Sequence, residues 1–165
     1  MTKKQLMLLI VAFASDQISK IFISSYLKLN ESIIVIKNVF KITSNHNYGA
    51  AWGILTHNTS LLIILSIIAI FIILRYMNSF KKNIRNNIAF SIILAGIAGN
   101  LADRVCLGYV RDFLDFRIFG YDFPIFNLAD TFIVIGVILL IIAILKGEDK
   151  NGSSSKGNRN TRKNR

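Results

Sequence analysis

Four apolar runs restrict what this 165-residue chain can fold into more than any other feature. They read "QLMLLIVAFASDQISKIFISSYL" at about 5–27, "SLLIILSIIAIFIILRYM" at about 60–77, "NNIAFSIILAGIAGNLADRV" at about 86–105 and "IFNLADTFIVIGVILLIIAIL" at about 125–145. Each approaches the roughly 20 residues that cross about 30 Å of hydrocarbon as a helix. Lipid offers no water to backbone N–H and C=O groups, so such runs must satisfy them internally, as helices. The expected fold class is an all-α membrane protein, a four-transmembrane-helix bundle forming one domain over residues 1–146. Hydrophobic residues make up 53% of the chain, which points away from a soluble globule.

Lysine and arginine orient the bundle. Lys3 and Lys4 precede the first run, Arg75, Lys81, Lys82 and Arg85 surround the second connection, and a basic tail follows the fourth run. Four spans put these regions on one side, so both termini are expected in the cytoplasm. The longer connections, about 28–59 and 106–124, then face outward. The first contains "SIIVIKNVFKITSNHN", whose β-branched residues and partial alternation predict a short strand pair. The second, "CLGYVRDFLDFRIFGYDFP", alternates charged and aromatic residues and reads as an interfacial loop or amphipathic helix lying on the membrane.

Residues 147–165 are polar, basic and rich in Gly, Ser and Asn, and are expected to form a disordered cytoplasmic tail. A basic stretch after a span favours anionic lipid over nucleic acid as its partner. The start "MTKKQLMLLIVAFAS" has the format of a cleavable signal peptide, with Ala12-Phe13-Ala14 as the cleavage site. Against cleavage, the apolar pattern resumes after Lys20 and completes a span. The one cysteine, Cys106, excludes an internal disulfide and reads as a small apolar filler.

Polar residues inside the runs are the candidates for function. A charge at a helix centre costs roughly 2.5–3.5 kcal/mol on insertion scales and therefore needs a reason. Asp16 and Lys20 lie one turn apart on one helix face. In "GIAGNLADR", Gly96 and Gly99 permit close helix approach, and Asn100, Asp103 and Arg104 follow within a turn or so. Asn127 and Asp130 open the fourth run and also suit a helix cap. Asp112, Asp115 and Asp122 sit in the outward loop before it.

Two carboxylates within reach of each other cannot both ionise easily, so one keeps a proton. Such a pair can activate water and polarise a scissile carbonyl, hydrolysing an amide without a metal or a covalent intermediate. Alternatively, the same acids could hold a divalent cation in a metal-dependent membrane lipid enzyme. A third reading is a non-enzymatic ion or proton carrier. There is no G-x-S-x-G or H-E-x-x-H motif, and His46 and His57 have no evident nucleophile beside them.

Five segments, "DQISK" (16–20), "NYGAAWGIL" (47–55), "GNLADR" (99–104), "VRDF" (110–113) and "FNLAD" (126–130), follow the order and approximate spacing of signal peptidase II. The chain resembles that family from the first run to the fourth. The resemblance implies a bacterial inner-membrane aspartic endopeptidase with four transmembrane helices and a small β-cradle in the first outer loop. It implies removal of the signal peptide from diacylglyceryl-modified prolipoproteins, just before the lipidated cysteine, at the outer membrane face. It also implies no cofactor and no metal, a monomer, and membrane lipid rather than nucleic acid as surroundings. Asp112 and Asp130 match the catalytic pair. Asp16 and Lys20 match a polar pair of the first helix, and Asn47 and Gly49 the N-x-G-A-A motif. Asn100 and Arg104 match residues that hold substrate backbone, Asp103 a supporting acid beside Arg104, and Asn127 a hydrogen-bonding neighbour of the pair.

Overall fold

A computed structural model describes residues 1–49, 55–56 and 58–149. Ala50, Ala51 and Trp52 of the outer-loop motif, His57, and the tail from 150 onward lie outside the described residues. Four long helices are present: α1 (Lys3–Tyr26), α2 (Thr59–Tyr76), α3 (Ile84–Leu107) and α4 (Leu128–Leu145). A 3-10 turn, Met77–Ser79, extends α2. All four are long and apolar enough to cross a membrane. Helix α1 continues without a break through Ala12–Ala14.

Helix α3 is the axis of the bundle. Its buried face includes Ala89, Phe90, Ile93, Ala95, Gly96 and Gly99, and α1, α2 and α4 all pack on it. Small residues let the backbones approach, as expected for helices that lack a hydrophobic drive to associate in lipid. A Cβ at Gly96 would press on the Ala129 carbonyl of α4, and one at Gly99 on the Asp16 carboxylate of α1. The outward faces stay apolar: Phe22, Phe71, Ile64 and Ile138 are each at least half exposed, as lipid contact requires.

The two outer connections form one antiparallel sheet in the order β1-β2-β3-β4: β1 (Ser32–Ile36), β2 (Phe40–Asn47), β3 (Val110–Ile118) and β4 (Tyr121–Asp122). The expected strand pair is therefore β1 with β2. The 106–124 connection corrects the expectation of an interfacial loop or amphipathic helix, because it is a hairpin. At its start the side chains alternate, Arg111 toward Asp103 and Asp112 toward Asn47 and Asn127, but the backbone N–H groups of Phe113 and Leu114 both point to the Phe126 carbonyl, which breaks the period there. The alternation of charged and aromatic residues is visible in the sequence, but charge on both faces leaves no apolar stripe to mark a strand. Gly108 closes α3 in the left-handed conformation at φ 82°, which turns the chain sharply into β3.

Strand β3 pairs with β2, Asn45 opposite Asp112 and Asn47 opposite Val110. A bulge at Thr43–Ser44 sets this register against that of Ile42 and Leu114. On its other side β3 takes Phe126: Leu114 N–H donates to the Phe126 carbonyl at 2.8 Å, and Phe126 N–H to that of Leu114 at 3.1 Å. This pairing delays α4 to Leu128, rather than the expected start near 125, and ties the loop to the helix mouth.

At the opposite end the first turn of α1 and residues 147–149 both contact the region around the start of α3. Gln5 donates to Asn87 at 2.9 Å, and Lys81 N–H donates to the Glu148 carbonyl at 2.8 Å. The Glu148 carboxylate accepts from Asn83 and Asn86 and pairs with Arg85. Residues 147–149 thus dock on the start of α3 ahead of the tail. Cys106, expected as a filler, is exposed, since α3 packs through its other face.

Candidate active site

Asp112 comes from strand β3 and Asp130 from the first turn of α4. Both line one cavity of about 900 Å3 at the sheet end of the bundle. Its walls also carry Asn47, Gly49, Asn100 and Arg104, and apolar residues Phe126, Ile133 and Val134 on the α4 side. Asn127, fully buried, joins the two acids. Its amide donates to Asp112 Oδ1 at 2.6 Å, and its backbone N–H donates to Asp130 Oδ2 at 3.2 Å. Asn127 is also the N-cap of α4, accepting from Asp130 N–H at 3.0 Å. The capping reading of Asp130 is therefore correct as well: one carboxylate oxygen completes a capping box and the other faces Asn100.

Two further amides complete the shell. Asn47 Nδ2 donates to Asp112 Oδ2 at 2.9 Å, and Asn100 Nδ2 to Asp130 Oδ1 at 2.7 Å. The orientation of Asn100 is dictated from below. Lys20 has donors only, so its contact of 3.0 Å takes the Asn100 oxygen and turns the NH2 toward Asp130. The same oxygen accepts from Asn127 at 3.1 Å. Arg104 donates to the Gly49 carbonyl at 3.1 Å, and Asn47 accepts from Gly49 N–H at 2.9 Å, which fixes the described start of the outer-loop motif beside the acids.

Beneath this layer lie Asp16, Lys20 and Asp103, at most 1% exposed. Lys20 pairs with Asp16 at 2.8 Å and lies 3.6 Å from Asp103. Asp16 Oδ1 accepts from Ala129 N–H at 2.9 Å, so α1 supplies a second cap to α4. These three residues support the shell and do not face the cavity. Asp103, expected as a supporting acid beside Arg104, pairs with Arg111 at 2.7 Å. Consecutive helix residues point about 100° apart, so adjacency in sequence is poor evidence of contact.

Sequence reasoning brought all ten candidates to one end of the molecule but missed Arg111 and Gln17. Gln17 donates to Asp16 and to the Gly99 carbonyl, each at 3.1 Å. Its polarity inside an apolar run was the available signal. Asp115 is held apart from the cavity acids by Thr43 at 2.7 Å and Lys41 at 3.0 Å. His46 lines the cavity and stacks on Tyr109 with ring centroids 3.8 Å apart. Burial and the nearby Arg111 charge hold its pKa below the ordinary histidine value.

Burial first, and then the Asp130 charge, push Asp112 up to about 7, against the amides of Asn47 and Asn127 and the charge of Lys20. A carboxyl that keeps a proton near neutrality can donate it, while an ionised neighbour accepts one.

Fold and site define the class as a four-span membrane protein with two amide-held aspartates at the mouth of its bundle. Residues 8–146 match the family model described as signal peptidase (SPase) II. The chain is 48% identical over 132 residues to the lipoprotein signal peptidase of Staphylococcus aureus strain bovine RF122 / ET3-1, covering 79% of this chain and 81% of that one. Identity to the lipoprotein signal peptidase of strain MRSA252 is 47% over the same length and coverage. A bacterial membrane enzyme solved by the in meso method at 2.3 Å resolution superposes with a TM-score of 0.79 at 41% identity, covering 87% of this chain and 88% of the other. A second such structure, at 1.9 Å, gives 0.77 at the same identity, with 87% and 93% covered. The chain belongs to the signal peptidase II family. It is an aspartic peptidase of the bacterial membrane that cleaves signal peptides from prolipoproteins.

Proposed function

We propose that Asp112 and Asp130 are the catalytic pair and that they act on a diacylglyceryl-modified prolipoprotein at the outer face of the membrane. The observation that carries this is Asn127, which bonds both carboxylates at once and holds them on one cavity. The pair shares one proton, and its titration belongs to both acids together. The ionised member takes a proton from water as the oxygen attacks the scissile carbonyl, and the protonated member gives its proton to the carbonyl oxygen. Collapse of the resulting diol returns a proton to the leaving amine, and the carboxyls end as they began.

Arg104 and Asn100 border the acids and present donors to an extended substrate backbone. The apolar α4 side of the cavity suits lipid chains that stay in the bilayer, and the cut falls just before the cysteine that carries them. Both termini lie in the cytoplasm. The enzyme acts as a monomer on this reading, with Asp112, Asp130 and the amides that hold them all within one chain. It uses neither metal nor cofactor, because the acids nearest the pair are already engaged: Asp16 and Asp103 by Lys20 and Arg111, and Asp115 by Lys41.

The test is cleavage of a diacylglyceryl-modified prolipoprotein, with product mass locating the cut. Asp112→Asn and Asp130→Asn are expected to fold, insert and lose cleavage by at least about 10²-fold. Near-normal turnover by either variant removes that residue from the pair. Activity is expected to be indifferent to EDTA. Loss with EDTA and recovery with a divalent ion support the metal-dependent alternative instead.

A further inference from the structure

Strand β3 has two faces, and only one presents Asp112 to the cavity. Successive side chains on a strand alternate, so Arg111 turns toward the membrane helices. There its guanidinium meets both carboxylate oxygens of Asp103, Nε to Oδ2 at 3.2 Å and Nη2 to Oδ1 at 2.7 Å. Its backbone N–H donates to the same Oδ2 at 3.0 Å. Nη2 also donates to the Gln17 side-chain oxygen of α1 at 3.1 Å. With Asp16 and Lys20 these residues form a neutral quartet of two acids and two cations under the strand.

We propose that Arg111 is a positioning residue for the catalytic pair, clamping β3 onto α1 and α3 and thereby fixing Asp112 over the mouth of α4. The proposal rests on the reading of Asp112 as catalytic. Asp130 rides on a helix and Asp112 on a strand, so the spacing of the two acids depends on how the strand is seated. The Phe126 pairing holds β3 against the start of α4. Arg111 supplies the attachment to α1 and α3. A planar guanidinium that bonds a carboxylate through two N–H groups fixes angle as well as distance, which an ammonium does not.

The test measures kcat and KM on a diacylglyceryl-modified prolipoprotein, using full-length enzyme in proteoliposomes. The variants are Arg111→Gln, Arg111→Lys, Asp103→Asn and the Arg111→Gln/Asp103→Asn double. Arg111→Gln is expected to lower kcat about 10–100-fold, the scale of a slightly misplaced reacting group, with KM changed by less than about twofold. Arg111→Lys is expected to fall between it and the wild type. The double variant is expected to lose no more than the worse single, because both residues act through one contact. Wild-type kcat in Arg111→Gln, or a change confined to KM, overturns the proposal. So does full recovery in the double variant, since the arginine then only balances the Asp103 charge. Multiplicative losses overturn it too. If Arg111→Gln does not fold, Arg111→Lys decides, and wild-type kcat there overturns the clamp. Asp112→Asn separates the two levels of the reading. If it still cuts, the catalytic reading fails. If it is inactive while Arg111→Gln is fully active, only the clamp fails.

Discussion

Asp112 is buried, beside a second acid, and bonded by two amides, and these influences oppose one another. Burial and Asp130 favour the protonated form, Asn47 and Asn127 the ionised one, and the balance lies at about 7. The basic limb of kcat/KM is therefore expected near pH 7, where the shared proton leaves the pair. Asn47→Ala removes a donor to the ionised form, raises the Asp112 value further and moves that limb to higher pH; a downward shift contradicts this account. Stability follows the same sign. A carboxyl whose folded value lies above its unfolded one binds more protons when folded, so stability falls as pH rises from about 4 to about 7 and is then flat. Melting of the detergent-solubilised protein should show that slope, and Asp112→Asn should flatten it. Much of this was legible residue by residue: an acid or amide inside an apolar run is costly, and each one flagged on that ground lies at the site. Pairing within one helix was legible, as for Asp16 and Lys20, but pairing between elements was not. Asp103 sits next to Arg104 in sequence but is bonded to Arg111, because partners across a fold depend on which face each element presents.

Among the elements, the four helices announce themselves by length and apolarity, whereas β3 does not. Its alternation breaks at Phe113–Leu114, and the charged residues Arg111 and Asp112 are consecutive, so neither face reads as apolar. The late start of α4 was hidden for a related reason: Phe126 looks like part of the apolar run, and only its pairing with Leu114 makes it strand-like. The packing of α3 was readable from its glycines, and it carries a prediction. Gly96→Ala places a methyl against the Ala129 carbonyl and the Ile133 side chain. A carbonyl cannot rotate away, so α4 must shift, at about 1–3 kcal/mol. Gly108→Ala meets open space and costs only its left-handed backbone, about 1–2 kcal/mol. Thermal melting in detergent should therefore rank Gly96→Ala below Gly108→Ala. Because Ala129 precedes Asp130, the first should also lose turnover beyond its loss of folded protein. Equal melting points with equal turnover would mean that the α3–α4 contact is looser than the geometry implies.

At the scale of the molecule, charge and chemistry separate to opposite ends. Lys3, Lys4, Lys81, Lys82, Arg85 and Lys146 gather at the end where α1 and α3 begin and α4 ends. At the sheet end most cations face acids instead: Lys41 with Asp115, Arg111 with Asp103, and Arg117 with Asp122. Lysine and arginine in short connections are held back on the cytoplasmic side during insertion, so the sheet and the two aspartates should face outward. An aspartic peptidase placed this way meets a signal peptide after its cleavage region has crossed the membrane. Single cysteines in a Cys106→Ser background test the orientation. Asp122 in β4 has a side chain 72% exposed, and Lys82 lies in the connection at the other end. Asp122→Cys in intact cells or spheroplasts should react with a membrane-impermeant thiol reagent, and Lys82→Cys should react only after permeabilisation. The reverse pattern would turn the catalytic pair toward the cytoplasm and overturn the proposed encounter with substrate. Labelling of both sites in intact cells would indicate mixed insertion, in which the basic end no longer fixes one topology.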